Sequence, residues 1–216
     1  MLKSGLLIIV LIFPGILSAQ SLEKQGTERR SANVKLAYNS SVIYPGIRTG
    51  IEFPTEIVNL DKARKGDRHP SLKIERFITL NAGWYHHPDF HDNIYPTLGY
   101  LIRRTRSNGF MIEFSPEAGL SRTYLGGTTY RVNDSGLVTI EKHAGYTYLL
   151  FSIGGGLGYD LKVNYSKPYT LYLKGNLLIM LPYNSTIYLR PALEAGLIFT
   201  PGSFLKRSCK IKSKIR

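Results

Sequence analysis

From 187 to 200 the chain reads Ile-Tyr-Leu-Arg-Pro-Ala-Leu-Glu-Ala-Gly-Leu-Ile-Phe-Thr, and its two faces differ completely. Every odd position from Ile187 to Phe199 is apolar, whereas Tyr188, Arg190, Glu194 and Gly196 fall between them. Side chains of a strand alternate between faces, so this segment carries one continuous apolar stripe and one face of charges and gaps. The stripe must avoid water. It can do so by facing the core of a soluble sandwich or by facing lipid on a transmembrane barrel.

The beginning of the chain bears on that choice. Residues 1–19 have the three parts of a secretory signal: Lys3, an apolar stretch over 6–16, and Leu17-Ser18-Ala19 as a cleavage site before Gln20. The apolar run is too short for a membrane anchor and is broken by Pro14-Gly15. No cysteine lies near the site, which excludes a lipid-modified N-terminus of the bacterial lipoprotein kind. No later segment offers about 18 uncharged apolar residues in a row, so helical spans are excluded. In a membrane, only a closed barrel could then satisfy the backbone. Cys209 is the single cysteine and permits no internal disulfide.

A net charge of +13 would ordinarily suggest nucleic acid as a partner. The charge is unevenly placed, however. Lys206, Arg207, Lys210, Lys212, Lys214 and Arg216 supply nearly half of the excess, with no acidic residue among them. Export removes the chain from nucleic acid, so a basic tail that is solvated or rests on lipid headgroups is the better reading. Residues 20–31 are polar, charged and without period, which suggests a flexible leader.

Between leader and tail the sequence offers eight strand candidates, at 32–38, 46–58, 72–86, 94–104, 110–124, 145–160, 169–181 and 187–200. The third shows the pattern well. Ile74, Ile78, Leu80, Ala82 and Trp84 oppose Lys73, Glu75, Thr79, Asn81 and Gly83. In the fifth, Phe110, Ile112, Phe114, Ala118 and Leu120 oppose Glu113, Ser115, Glu117, Gly119 and Ser121. Ser107-Asn108-Gly109 before it is a tight-turn signal. The polar faces are rich in glycine and mixed charge, as a narrow lumen requires. Aromatic residues gather near strand ends (Trp84, Tyr85, Tyr100, Tyr124, Tyr159, Tyr169, Tyr183), as interfacial girdles do. The fold expected is therefore all-β, an eight-stranded antiparallel transmembrane β-barrel of up-and-down topology over residues 32–200, between a signal peptide at 1–19 with a leader at 20–31 and a disordered, dispensable basic tail at 201–216. Periplasmic termini make 104–109 a short inner turn and 125–144 the longest outer loop, although 60–69 is long for an inner turn.

The motifs that could carry chemistry have plainer explanations. Gly154, Gly156 and Gly158 invite a phosphate-loop reading, but Tyr159-Asp160 comes next with no helix pattern, so they serve to make room on one face. Tyr85-His86-His87-Pro88-Asp89-Phe90-His91-Asp92 concentrates imidazoles and carboxylates of the kind that hold zinc or copper. Adjacent histidines on an extended segment point apart, and a hairpin tip is polar anyway. Outer-membrane deacylases of lipid A carry a His-x-Ser pair within a strand. The pair with that spacing here, His69-Pro70-Ser71, lies beside a proline in a charged turn. Arg48, Glu52, Glu75, Arg103, Glu113, Glu117, Lys174, Arg190 and Glu194 all fall on the inner face, where ion pairs would fill a small barrel. No catalytic, cofactor-binding or metal-binding residue is assigned, and no cofactor is expected.

Three runs resemble a known group: Tyr44-Pro45-Gly46-Ile47-Arg48-Thr49-Gly50-Ile51-Glu52-Phe53, Asn81-Ala82-Gly83-Trp84-Tyr85-His86-His87, and Gly154-Gly155-Gly156-Leu157-Gly158-Tyr159-Asp160. They are similar to small outer-membrane β-barrel proteins of Bacteroidota-type bacteria, with the likeness covering about 44–199. The resemblance implies a fold and an outer-membrane location but no reaction. It fails at the end of the chain, where a tail follows Phe199 instead of stopping at the final aromatic. The function expected is a non-enzymatic structural or surface-interaction role. Outer-membrane lipids are the expected partners, with the barrel assembly machinery during biogenesis reading 193–199; nucleic acid is not. Three other roles compete: a passive small-solute channel, a lipid-modifying hydrolase, and a soluble periplasmic ligand-binding barrel with its apolar faces inward.

Overall fold

Strands of alternating character must hide one face from water and give the other polar partners. In the computed structural model, which describes residues 23–41, 44–61, 72–88, 90–183 and 186–215, the apolar faces turn outward and the polar faces are buried. Among these residues the strands are β1 (Glu23–Arg30), β2 (Asn33–Ser41), β3 (Tyr44–Asp61), β4 (Leu72–His87), β5 (His91–Arg106), β6 (Phe110–Leu125), β7 (Tyr130–Val132), β8 (Val138–Ile140), β9 (Thr147–Asp160), β10 (Tyr169–Tyr183), β11 (Thr186–Phe199) and β12 (Arg207–Ile215). A short helix α1 (Leu161–Tyr165) joins β9 to β10, with the Asp160 carboxylate accepting from the Lys162 backbone N–H at its start.

All except β7 and β8 belong to one sheet. Following the antiparallel ladders from β2 through β3, β4, β5, β6, β9, β10 and β11 leads back to β2, where Phe199 lies opposite Val34. These eight strands correspond to the eight sequence candidates, with ends displaced by a few residues. At the turn between β5 and β6, Gly109 donates to the Arg106 carbonyl at 2.9 Å with φ of +88°, a conformation that suits glycine. The long connection from β6 to β9 is not plain loop. It carries the β7–β8 hairpin, closed by Arg131 on Glu141 at 2.6 Å.

Burial follows the alternation with the usual sense inverted. Leu80, Leu98 and Leu193 are exposed by 51%, 60% and 55%, while Glu194, the residue after Leu193, is fully buried. Of the proposed aromatic girdle, Trp84 and Tyr169 are exposed, but Tyr85 is buried and belongs to the inner face. The buried surface is also not wholly polar. Tyr85, Tyr95, Tyr148, Leu150, Leu178, Met180 and Ala192 form one apolar cluster, and Ala37, Met111, Tyr172 and Ile198 form another.

The two ends of the chain correct the expected flexible leader and disordered tail. Glu23–Arg30 pairs antiparallel with Arg207–Ile215, which in turn runs parallel to the last part of β3, Lys210 opposite Glu56 and Ile215 opposite Asp61. The cause is an overhang. β2 pairs with β3 only as far as Glu52, so the following edge of β3 would present unpaired N–H and C=O groups. β12 covers that edge, with Lys212 Nζ 3.4 Å from Glu56, a carboxylate that Arg76 also pairs. Thr200-Pro201 still ends β11, as expected. The signal segment at 1–19 and His69-Pro70-Ser71 lie outside the described residues.

Candidate functional site

The strand register brings most of the charged inner residues into one network, from which Glu75, paired with Lys73, and Arg190 stand apart. Arg48 on β3 stands opposite Ala37 and Gly83, and these small neighbours leave its long side chain free to extend. It reaches Glu194 on β11 at 3.0 Å, Thr97 on β5 at 3.2 Å, and Glu117 on β6. Lys35 meets the other Glu194 oxygen at 3.2 Å, and the Tyr172 hydroxyl donates to that oxygen at 2.6 Å. Arg103 grips Glu52 through two parallel bonds of 3.0 and 2.9 Å and Glu113 at 3.1 Å. Such bidentate pairing is the strong form of an arginine–carboxylate contact. Lys174 lies 3.7 Å from Glu117 and 3.9 Å from Glu113. Gly156 is the residue between Lys174 and Glu113 in the register, so the two side chains meet across it. A Cβ at Gly154, Gly156 or Gly158 would collide with neighbours that include Asn176, Lys174 and Met111, which bears out these glycines as makers of space.

The charge count of this buried face is uneven. Among the described residues its buried cations are Lys35, Arg48, Arg103, Lys174 and Arg190, and its buried carboxylates are Glu52, Glu113, Glu117 and Glu194. Four of the five cations have carboxylate partners. Arg190, 2% exposed, has none, and among the described residues no nitrogen of its guanidinium has a hydrogen-bond partner. Its Cζ instead lies 3.4 Å from the ring centre of Tyr85 and 5.1 Å from that of Tyr44.

Arg190 lines a cavity of about 260 Å³ at the end of the sheet where β3 and β5 begin and β4 and β6 finish. Tyr44, Tyr85, Tyr148 and Tyr188 wall it, with Met180, His91 and the end of β6 also on its boundary, and no acidic residue is among its described lining. Arg190 and Tyr188 were legible as neighbours on one face from the two-residue spacing. Tyr44 and Tyr148 were not singled out, and Tyr85 was read as a girdle residue from its place near a strand end, although alternation from outward Trp84 already turns it inward.

The histidine-rich tip is arranged as its extended backbone dictates. His86 is exposed and its Nδ1 lies 2.9 Å from Asp92, while His87 turns its Nδ1 to the Pro88 carbonyl at 2.8 Å. The two rings therefore point apart. Among the described residues no group of three or more His, Cys, Asp or Glu side chains is placed to hold a metal ion. The buried carboxylates Glu113 and Glu117 each face cations, Arg103 and Lys174 for the first and Arg48 and Lys174 for the second, an arrangement of charge balance.

No protein-family model matches the chain, and no curated protein matches it. A solved structure with similarity is that of Neisserial surface protein A, at 13% identity and a TM-score of 0.43, over 82% of this chain and 99% of that one. Among the described residues no helix is long and apolar enough to cross a membrane, which leaves crossing by strands untouched.

Proposed function

We propose that this chain is an integral outer-membrane protein, a closed eight-stranded antiparallel barrel without catalytic activity, serving a structural or surface-interaction role. The observation that carries this reading is the inverted burial. Leucines around the sheet stand exposed while lysines, arginines and glutamates are buried behind them. A water-soluble protein would expose far too much contiguous apolar surface this way, whereas lipid is the natural solvent for it. The ring of ladders supports closure, since each of the eight strands finds a partner on both sides. Outer-membrane lipids and, during biogenesis, the assembly machinery that reads a terminal aromatic such as Phe199 are the partners this reading implies.

With the chain ends on the periplasmic side, the turn at 107–109 is inner and the 126–146 connection, with its exposed hairpin, is outer. Fractionation and a heat-modifiability gel test the proposal. A protein that partitions with the outer membrane and migrates faster before boiling supports it, and a soluble periplasmic protein overturns it. A passive channel is the second reading, and the cross-linked charges disfavour it. Steady currents in planar bilayers that change with Arg48→Ala would put the channel first.

A further inference from the structure

We propose that the cavity around Arg190 binds a small carboxylate monoanion with a flat apolar body. The inference rests on the barrel reading only for which side of the membrane the cavity faces. Its first support is the unmatched charge. A buried cation without a partner is costly, and in native proteins such a group asks for an explanation. Stacking on Tyr85 at 3.4 Å occupies one face of the guanidinium but none of its N–H donors, which lie in the plane. Those in-plane donors form a fork that fits the two oxygens of a carboxylate.

The second support is the cavity itself. At about 260 Å³ it lies just under the ~300–1,000 Å³ of typical ligand pockets, which suits a small molecule and no lipid chain. Its walls are tyrosine rings resting on the apolar cluster that contains Leu150, Leu178 and Met180, so they would cover a flat apolar body. The charge of the site is that of one guanidinium, with no acidic residue in the described lining. One permanent positive charge matches a monoanion better than a phosphate, whose second charge would remain buried without a partner.

The test uses the full chain refolded into lipid nanodiscs, titrated calorimetrically with benzoate, benzamide and inorganic phosphate against empty nanodiscs. Benzoate should bind saturably. Benzamide, of the same shape without the charge, should bind at least about tenfold more weakly, as loss of a charged hydrogen-bond partner implies. Phosphate should not displace benzoate. Arg190→Met should weaken benzoate binding by at least about tenfold while keeping a heat-modifiable band. Arg104→Gln, on the exposed face, should leave binding unchanged. Absence of saturable benzoate binding, equal binding of benzoate and benzamide, preference for phosphate, or full binding by Arg190→Met would each overturn the proposal. The wild-type comparison of benzoate with benzamide decides the matter even if Arg190→Met does not fold. Failure of the barrel reading is seen separately, as loss of heat-modifiability in the wild type.

Discussion

Arg48 and Arg190 lie on the same buried face and are exposed to the same slight degree, 2% each, but they occupy different environments. Arg48 extends past small residues to Thr97, Glu117 and Glu194. Arg190, two inward positions from Glu194 on β11, turns instead to tyrosine rings and meets no acceptor among the described residues. The first cation is a tie between walls. Its removal would take a partner from two buried carboxylates, leaving Glu194 to Lys35 and Glu117 to Lys174. The second makes no such tie among the described residues, and its removal would strand no carboxylate there. Burial of charge is thus not one phenomenon in this molecule: near the middle of the sheet it holds strands together, and at the end it leaves a donor group available.

Paired variants test that contrast. Arg48→Met should be the most damaging change, because Glu117 and Glu194 lose a partner in a buried setting, at about 3–5 kcal/mol. Urea unfolding of the refolded protein in vesicles would show it as a lowered midpoint. Arg190→Met at equal burial should alter stability by no more than about 1 kcal/mol, since relief from an unpaired charge offsets lost stacking on tyrosine. Equal losses for the two would erase the distinction between tie and free donor.

The exposed face gives the next largest effect. Leu80→Arg or Leu193→Arg places a charge where lipid is expected, at about 2–4 kcal/mol, and should deplete the heat-modifiable form. Normal assembly of both would mean that these leucines do not face lipid. A smaller effect is expected from deleting 203–216. The eight-strand ring should persist with a loss of about 1–2 kcal/mol, as the ladder bonds of β12 give way to water. Limited proteolysis should then cut between Glu56 and Asp61, where the edge of β3 is uncovered. No change in either measure would return the tail to the dispensable role its composition suggested.

Much of this fold was legible because period-two alternation over long strands leaves few alternatives. Leu80 against Asn81 and Leu193 against Glu194 specify faces, and tight-turn chemistry at Asn108-Gly109 specifies a boundary. The inner charges were legible for the same reason, except Lys35, whose short strand drew attention to its apolar side only. The β1–β12 pair was obscured by composition. Lys210, Lys212 and Lys214 alternate with Cys209, Ile211, Ser213 and Ile215, a strand pattern masked by the density of charge. Glu23–Arg30 has no such pattern and is a strand only because β12 supplies an edge. The unpaired state of Arg190 was beyond the sequence, because partnership across the sheet depends on which side chains reach past glycine and alanine.

Trp84 allows the proposed lipid-facing surface to be tested without mutation. It is the single tryptophan and lies on the outward face toward the end of β4, exposed by 42%. In vesicles whose acyl chains carry bromine near the headgroup, refolded protein should lose most of its tryptophan emission, and aqueous iodide should quench it little. Undiminished emission in brominated vesicles together with strong iodide quenching would place that apolar face in water and contradict a membrane-spanning barrel.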